Sequence, residues 1–378
     1  MSFNLLRNSR MFFTTNVAAG TGVVAATGFT PTNTFEIQVM DGFSFSQNTT
    51  SETVTLSEAG ASPVRGQRSF NTALEPVDYS FSTYMRPADG GVNITAEESV
   101  LWNALLGTGA IGAGGAAWAD GVANATVVAT NSQAHQLQAF GLIIVIDGTS
   151  YIIDNCALDQ AAIDFGLEAI AMIAWTGKGT TLRQVAGLTA TTGATVTLAN
   201  GLTGTAKGKN TTAPYIANKL STLVLDNGIE GAGANSYTVA ITGGSLTIAN
   251  NLTYLTPANL GVVNTPITYF TGTRAISGSL TAYLRAGALN TAGLMSDLLA
   301  SSSTDVNPAF MIQINVGGTG ATRVEIEMPA AVLTIPSVST EQVVSTTINF
   351  TAQGSTTGAF DIGAANELEI RYFTTNAA

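Results

Sequence analysis

From Phe35 the chain reads FEIQVMDG, apolar and polar positions alternating with period two up to an Asp-Gly turn. That period places every second side chain on one face, the mark of a strand with one side buried. From Tyr237 it reads YTVAITGG, with the same alternation and a Gly pair, so Phe35, Ile37 and Val39 match Tyr237, Val239 and Ile241. A long polar stretch follows each, Ser46 to Ser69 and Thr247 to Thr273. A second alternating strand comes next, VDYSFSTYMRP from Val77 and ISGSLTAYLRA from Ile276, and both contain Tyr-x-Arg: Tyr84/Arg86 and Tyr283/Arg285.

After each Tyr-x-Arg strand the period lengthens to that of a helix. Ala96 to Leu106 carries a Thr95 cap with Glu98 three residues on, apolar Val100, Leu101 and Leu105 at helical spacing, and Gly107 as a stop. Its counterpart is Thr291 to Ala300. Hairpin openings then match, AFGLIIVIDGTS from Ala139 with AFMIQINVGGTG from Ala309. Finally AMIAWTGKG from Ala171 matches TTINFTAQG from Thr346, pairing Ile173 with Ile348 and Trp175 with Phe350. Matched blocks in one order predict a duplicated, mainly β chain. Two tandem similar domains are expected, 1–190 and 191–378, each an antiparallel β-barrel or sandwich with one packed α-helix. A Gly/Ala-rich insertion near 107–121 interrupts the first, and the boundary is expected between Gly187 and Lys209.

Composition narrows the function. Of 378 residues only 10% are charged, while 45% are hydrophobic and Gly is abundant, so the chain folds but presents a surface poor in charge. Such a surface suits a subunit covered by neighbours better than a lone monomer. One His and one Cys exclude a His/Cys metal site and an intrachain disulfide and leave little for triad chemistry, so no cofactor and no enzyme are expected. A net charge of -11 argues against a nucleic-acid binder of the usual basic kind. No signal peptide and no membrane span is legible, so a soluble product without membrane contact is expected.

Few motifs carry chemistry. The run of Gly107, Gly109 and Gly112 follows a helix rather than a strand, and Gly177-Lys178-Gly179 lacks both the first glycine and the Ser/Thr of a phosphate loop. Asp147, Asp154, Asp159, Asp164 and Glu168 form the densest acidic block, read as an acidic sheet face before a glycosidase pair. His135 reads as a surface residue and Cys156 as a buried thiol. The stretch Gln47 to Arg68 is longer than a hairpin needs and concentrates Glu52, Glu58, Arg65 and Arg68 in a chain short of charge. These four, with Arg7 and Arg10 of the N-terminal segment, are the candidate contacts between subunits or between rings.

The chain resembles the tail tube (major tail) proteins of long-tailed bacteriophages, through the opening MSFNLLRNSRMFFTT, the FEIQVMDGFSFSQ and DYSFSTYMRP strands, the helix after them and the closing INFTAQG. The resemblance implies a virion protein assembled in the host cytoplasm into hexagonal rings, stacked as a tube whose lumen conducts DNA without binding it. It implies a long loop reaching the adjacent ring, and other tail proteins (baseplate or tip, terminator, a sheath) as partners. With the tube domain duplicated, three chains make a trimeric pseudo-hexamer, and a true hexamer is the alternative. An acidic lumen would repel phosphates. A tail hub or distal-tail adaptor ring, and a carbohydrate-binding or glycosidase β-protein, are the other readings.

Overall fold

The computed structural model describes residues 9–25, 28–54, 68–89, 94–106, 124–130, 137–146, 149–167, 169–185, 188–190, 195–198, 202–205, 213–227, 236–304, 309–318, 322–339, 344–354 and 366–373. The chain begins with β1 (Ser9–Thr14), β2 (Thr34–Ile37), β3 (Ser44–Ser46), β4 (Thr49–Val54), β5 (Arg68–Leu74), β6 (Val77–Tyr84), β7 (Pro87–Asp89) and β8 (Ile94–Ala96). Helix α1 (Ser99–Leu106) leads to β9 (Asn124–Thr130), β10 (Phe140–Ile146), β11 (Thr149–Asp164), β12 (Met172–Gly179) and β13 (Thr181–Val185). Three short strands, β14 (Leu188–Ala190), β15 (Thr195–Leu198) and β16 (Leu202–Thr205), form a small sheet of their own.

The remainder comprises β17 (Thr222–Asn227), β18 (Ser236–Thr238), β19 (Ile241–Ala249), β20 (Thr253–Leu255), β21 (Thr268–Phe270) and β22 (Ala275–Tyr283). Helix α2 (Thr291–Thr304) precedes β23 (Phe310–Val316), β24 (Arg323–Leu333), β25 (Ser337–Ser339), β26 (Ser345–Gln353) and β27 (Asn366–Phe373). The chain is thus mainly β and antiparallel, and the alternating blocks read from sequence are strands.

The pairings recur along the chain. β1 lies between β2 and β10, and β17 between β18 and β23. β10 pairs with β11 as β23 does with β24, and both ladders are bulged, at Phe140/Leu142 and at Phe310/Ile312. β11 takes β12 and β13 as partners, and β24 takes β26 and β27. β6 joins β3 to β12, and β22 joins β19 to β26. No closed barrel results, contrary to one form of the expected domain. The sheets stay open, and among the described residues β18 is hydrogen-bonded as a ladder on one side only, to β17.

Two sequence expectations need correction. Helix α1 starts at Ser99 rather than Ala96, because Ile94–Ala96 is drawn into a hairpin with Pro87–Asp89. Glu98 therefore ends the approach to the helix: its carbonyl accepts from Leu101 N at 2.9 Å, while its carboxyl turns inward to Tyr372. The second correction is one of register. Trp175 stands opposite Phe81 in β6, and Ile348 stands opposite Leu280 in β22, so Trp175 corresponds to Ile348 rather than to Phe350. A slip of two residues keeps every side chain on its own face, so hydrophobic alternation alone cannot detect it.

One large core runs under both series of strands, with Phe81, Trp102, Trp175, Leu246, Leu280, Ile348 and Tyr372 among its members. Trp102 of α1 meets Trp175 edge-on at 4.9 Å, a geometry that the ring quadrupoles favour. Its Nε1 donates to Tyr372 Oη at 2.7 Å, which satisfies the indole N–H in the dry interior. Since β27 also pairs with β9, the end of the chain is bound to the segment that follows α1.

Candidate functional site: a continuous sheet face, its edges and two exposed loops

β11 is long enough to serve two sheets. Its last part pairs with β12 on one side and, through Gln160–Asp164, with Ala249–Ser245 of β19 on the other. This junction fuses the two series into one sheet in the order β3, β6, β12, β11, β19, β22, β26, β25. The core face holds Phe81, Trp175, Ile163, Leu246, Leu280 and Ile348, all buried.

The opposite face is wet and almost without charge. One register row runs Ser82, Ala174, Ala162, Thr247, Ser277, Thr351 across six strands. A second runs Ser44, Ser80, Thr176, Gln160, Ala249, Ala275. A third runs Tyr84, Met172, Asp164, Ser245, Ser279, Asn349, with Asp164 as its charge. At the rim Lys178 is neutralised by Asp78 at 2.5 Å. The sheet ends on two edges. Among the described residues β3 pairs only with β6 and β25 only with β26, so each leaves one side of its backbone open.

Little of the acidic block is available for chemistry. Asp154 is buried, bound to Arg183 Nε at 2.7 Å and to Val24 N at 2.8 Å, and Asp159 accepts from Leu252 N at 2.8 Å. Asp164 is exposed, whereas Asp147 and Glu168 lie outside the described residues, as does His135. Cys156 is buried, and burial raises its thiol pKa well above the ordinary value. The glycines beside Lys178 serve close packing rather than phosphate. A Cβ on Gly177 would stand 2.2 Å from Tyr79 Oη, and one on Gly179 would stand 2.4 Å from Ile153 Cγ2. Trp102 and Trp175 are fully buried, so neither offers a ring to a sugar, and Trp118 lies outside the described residues.

The expected contact residues fall in three places. Glu52 and Arg68 sit on the β4–β5 hairpin, opposite Phe70 and Val54, where every residue from Thr49 to Val54 is exposed. Glu58, Arg65 and Arg7 lie outside the described residues, as does the Gly/Ala-rich insertion 107–121. Arg10 is engaged within the chain, in a two-pronged pair with Glu36 at 2.7 and 2.8 Å. The Tyr-x-Arg pairs differ sharply. Arg86 is 1% exposed, gives its guanidinium to Ala213 O and Gln38 Oε1, and lies over Tyr215 at 4.4 Å, whereas Tyr283 and Arg285 are exposed.

Sequence reading passed over a second projection. The loop between β20 and β21 exposes Leu260, Val262, Val263 and Ile267, and it is tied to the first hairpin by Leu74 N to Asn264 O at 2.8 Å. The signal was present in LGVVNTPI, an apolar run inside a stretch taken as polar. Exposed apolar clusters of this kind mark contact with another macromolecule.

No protein-family model matches the chain. Among curated proteins it is 34% identical, over an alignment of 385 residues, to the tail tube protein pb6 of Escherichia phage T5, covering 96% of this chain and 75% of the relative. That likeness covers nearly the whole chain, and the chain belongs to the family of phage tail tube proteins.

Proposed function

We propose that the chain is a tail tube subunit in which three copies close a pseudo-hexameric ring, rings stack into a tube, and the uncharged sheet face lines the bore. The observation that carries this reading is the β11–β19 junction and the two edges left open. β25 follows β24 and pairs with β26 as the end of β11 pairs with β12. β3 pairs with β6 as β19 pairs with β22. The open edges β25 and β3 are therefore counterparts of the edges already joined at β11 and β19. Repeating that junction from β25 of one copy to β3 of the next removes the exposed backbone and leads round to a closed ring. Each copy then supplies two similar units, consistent with the recurring pairings and with a duplicated domain divided near residue 190.

The bore face suits a conduit. Double-stranded DNA is held through cations that displace its counterions. A surface of Ser, Thr, Asn and Ala with Lys178 neutralised by Asp78 offers hydroxyls in place of water and little to grip phosphate. Near-neutrality thus replaces the acidic lining expected from the net charge. The β4–β5 hairpin and the Leu260–Ile267 loop supply the surface between stacked rings, and this favours a polymerising tube over a single adaptor ring. The remaining partners of the assembly, in the virion tail built in the host cytoplasm, are a baseplate or tip and a terminator.

Negative-stain electron microscopy of the concentrated protein tests this, with end-on class averages. Hollow tubes with three masses per ring, each mass bilobed, are expected. Single unstacked rings would favour the adaptor reading, and six separate masses per ring would refute the trimer. Charge reversal at Arg65 and Arg68, R65E with R68E, is expected to weaken stacking while the dispersed chain keeps its circular dichroism and melting midpoint.

A further inference from the structure

Residues 213–220 run ahead of β17 and lie against the first series of strands. Ala213 O accepts from Arg86, Ile216 O accepts from Ala171 N at 2.9 Å, and Asn218 N donates to Ala169 O at 2.9 Å. Tyr215 stacks edge-on with Tyr84 at 5.1 Å. Under this cover Arg86 and Ala171 are each 1% exposed.

The second series holds the same receiving surface, without a cover among the described residues. Leu284 N donates to Val344 O at 3.0 Å, as Met85 N does to Ala171 O at 2.9 Å, so Val344 stands where Ala171 does and Arg285 where Arg86 does. Yet Tyr283 is 46% and Val344 36% exposed, and Arg285 is exposed, its carbonyl accepting from Ala292 N at 3.0 Å while its guanidinium has no hydrogen-bond or ion-pair partner among the described residues. A guanidinium and two apolar side chains built like a covered site, but open, call for the missing segment.

In the sequence, residues 1–8 precede β1 as 213–220 precede β17. β1 pairs with β10 as β17 pairs with β23, Met11 opposite Ile144 and Leu223 opposite Ile314, so Met11 and Phe13 stand in the places of Leu223 and Leu225. Read backward from there, Ser9 falls at Ser221, Arg7 at Lys219 and Phe3 at Tyr215. We propose that the segment preceding β1 of one copy covers the Tyr283, Arg285 and Val344 surface of the next copy, as residues 213–220 cover Tyr84 and Arg86 within the chain. The proposal rests on the ring reading above, because the copy that brings β3 to the open edge of β25 also brings its own N-terminal segment to this surface. Phe3 takes the place of Tyr215 against Tyr283, and a backbone carbonyl accepts from Arg285.

The test is a thiol cross-link in assembled protein. Cys156 is buried, so there is little background, and the variant F3C with Y283C is oxidised after rings have formed. Covalent species of two and three chains are expected on a denaturing gel, dimers alone from a mixture of the two single variants, and monomer from either variant alone. Rings of normal appearance without interchain product would overturn the proposal and leave the ring reading standing. Absence of rings from the unsubstituted protein would overturn both. As a second readout, R285A is expected to raise the concentration needed for ring formation about tenfold, the loss of one charged hydrogen bond. An unchanged threshold would also overturn the proposal.

Discussion

Replacing Glu98 with glutamine (E98Q) removes an acid that the fold keeps protonated at neutral pH. Burial pushes its carboxyl from the ordinary 4.5 up to about 8, overriding the hydrogen bonds from Tyr372 and from Arg86 N that act in the opposite direction. In the unfolded chain the group ionises near 4.5, so between 4.5 and about 8 the folded state holds a proton that the unfolded state has released. Stability therefore falls as pH rises across that interval. This contribution is fully present below 4.5 and lost by about 8. At 1.36 kcal/mol for each tenfold step in proton affinity, it amounts to at most about 5 kcal/mol. Glutamine has nearly the same shape, and its Oε1 can accept from Tyr372 as the carboxyl does, without a charge to desolvate. Urea unfolding of the dispersed chain at about pH 5 and about pH 8 measures the effect as the difference between the two proteins. The wild type should lose several kcal/mol between these conditions, and E98Q should lose much less and be the more stable at the higher pH. Parallel pH dependences would refute the reasoning, because Glu98 would then ionise alike in both states.

Other perturbations follow from the same geometry. R86A removes the hydrogen bonds that Arg86 gives to Ala213 O and Gln38 Oε1, and at about 1–2 kcal/mol for each it should cost about 2–4 kcal/mol. Urea unfolding measures that loss, and amide exchange at Ile216 and Asn218 should accelerate as the covering segment loosens. G177V places a side chain against Tyr79 Oη and Ala157 O, which a Cβ would already approach at 2.2 and 2.4 Å, and should lower the melting midpoint at a cost of about 1–3 kcal/mol. L260S with V262S alters side chains that are already exposed, so the melting midpoint should hold while tubes shorten or separate into rings under the electron microscope. Tubes of unchanged length would remove the loop from the stacking surface.

Much of the fold is legible in local pattern. FEIQVMDG, VDYSFSTYMRP and TTINFTAQG announce strands because burial on one side demands period two, and the structure places strands there. Helix α1 is legible at its C-terminal end, Leu106, and α2 at its start, Thr291, although α2 runs on to Thr304 past the expected Ala300. The start of α1 is not, since Ile94–Ala96 has an alternative partner in Pro87–Asp89 that capping rules cannot foresee. Among the contact residues, Glu52 and Arg68 do lie on an exposed hairpin, whereas Arg10 is held by Glu36 from a neighbouring strand. Tyr84/Arg86 and Tyr283/Arg285 are identical as motifs and opposite in burial. That difference comes from residues 213–220, more than a hundred positions from Arg86 in the chain.

By itself the sequence determined the class of the fold, the recurrence of its blocks, the poverty of chemistry and the likeness to tail tube proteins. The first three rest on composition and on short-range periodicity, which each segment carries alone, and the likeness rests on particular segments, from the opening MSFNLLRNSRMFFTT to the closing INFTAQG. Only the tertiary structure decided the two-residue register of β12 against β6, the passage of one sheet through both series at β11 and β19, the neutral face of that sheet and the two edges it leaves open. Register and edge exposure are properties of pairs of distant strands. A strand of period two buries the same side chains after a slip of two residues, and its own pattern does not reveal which of its edges already has a partner.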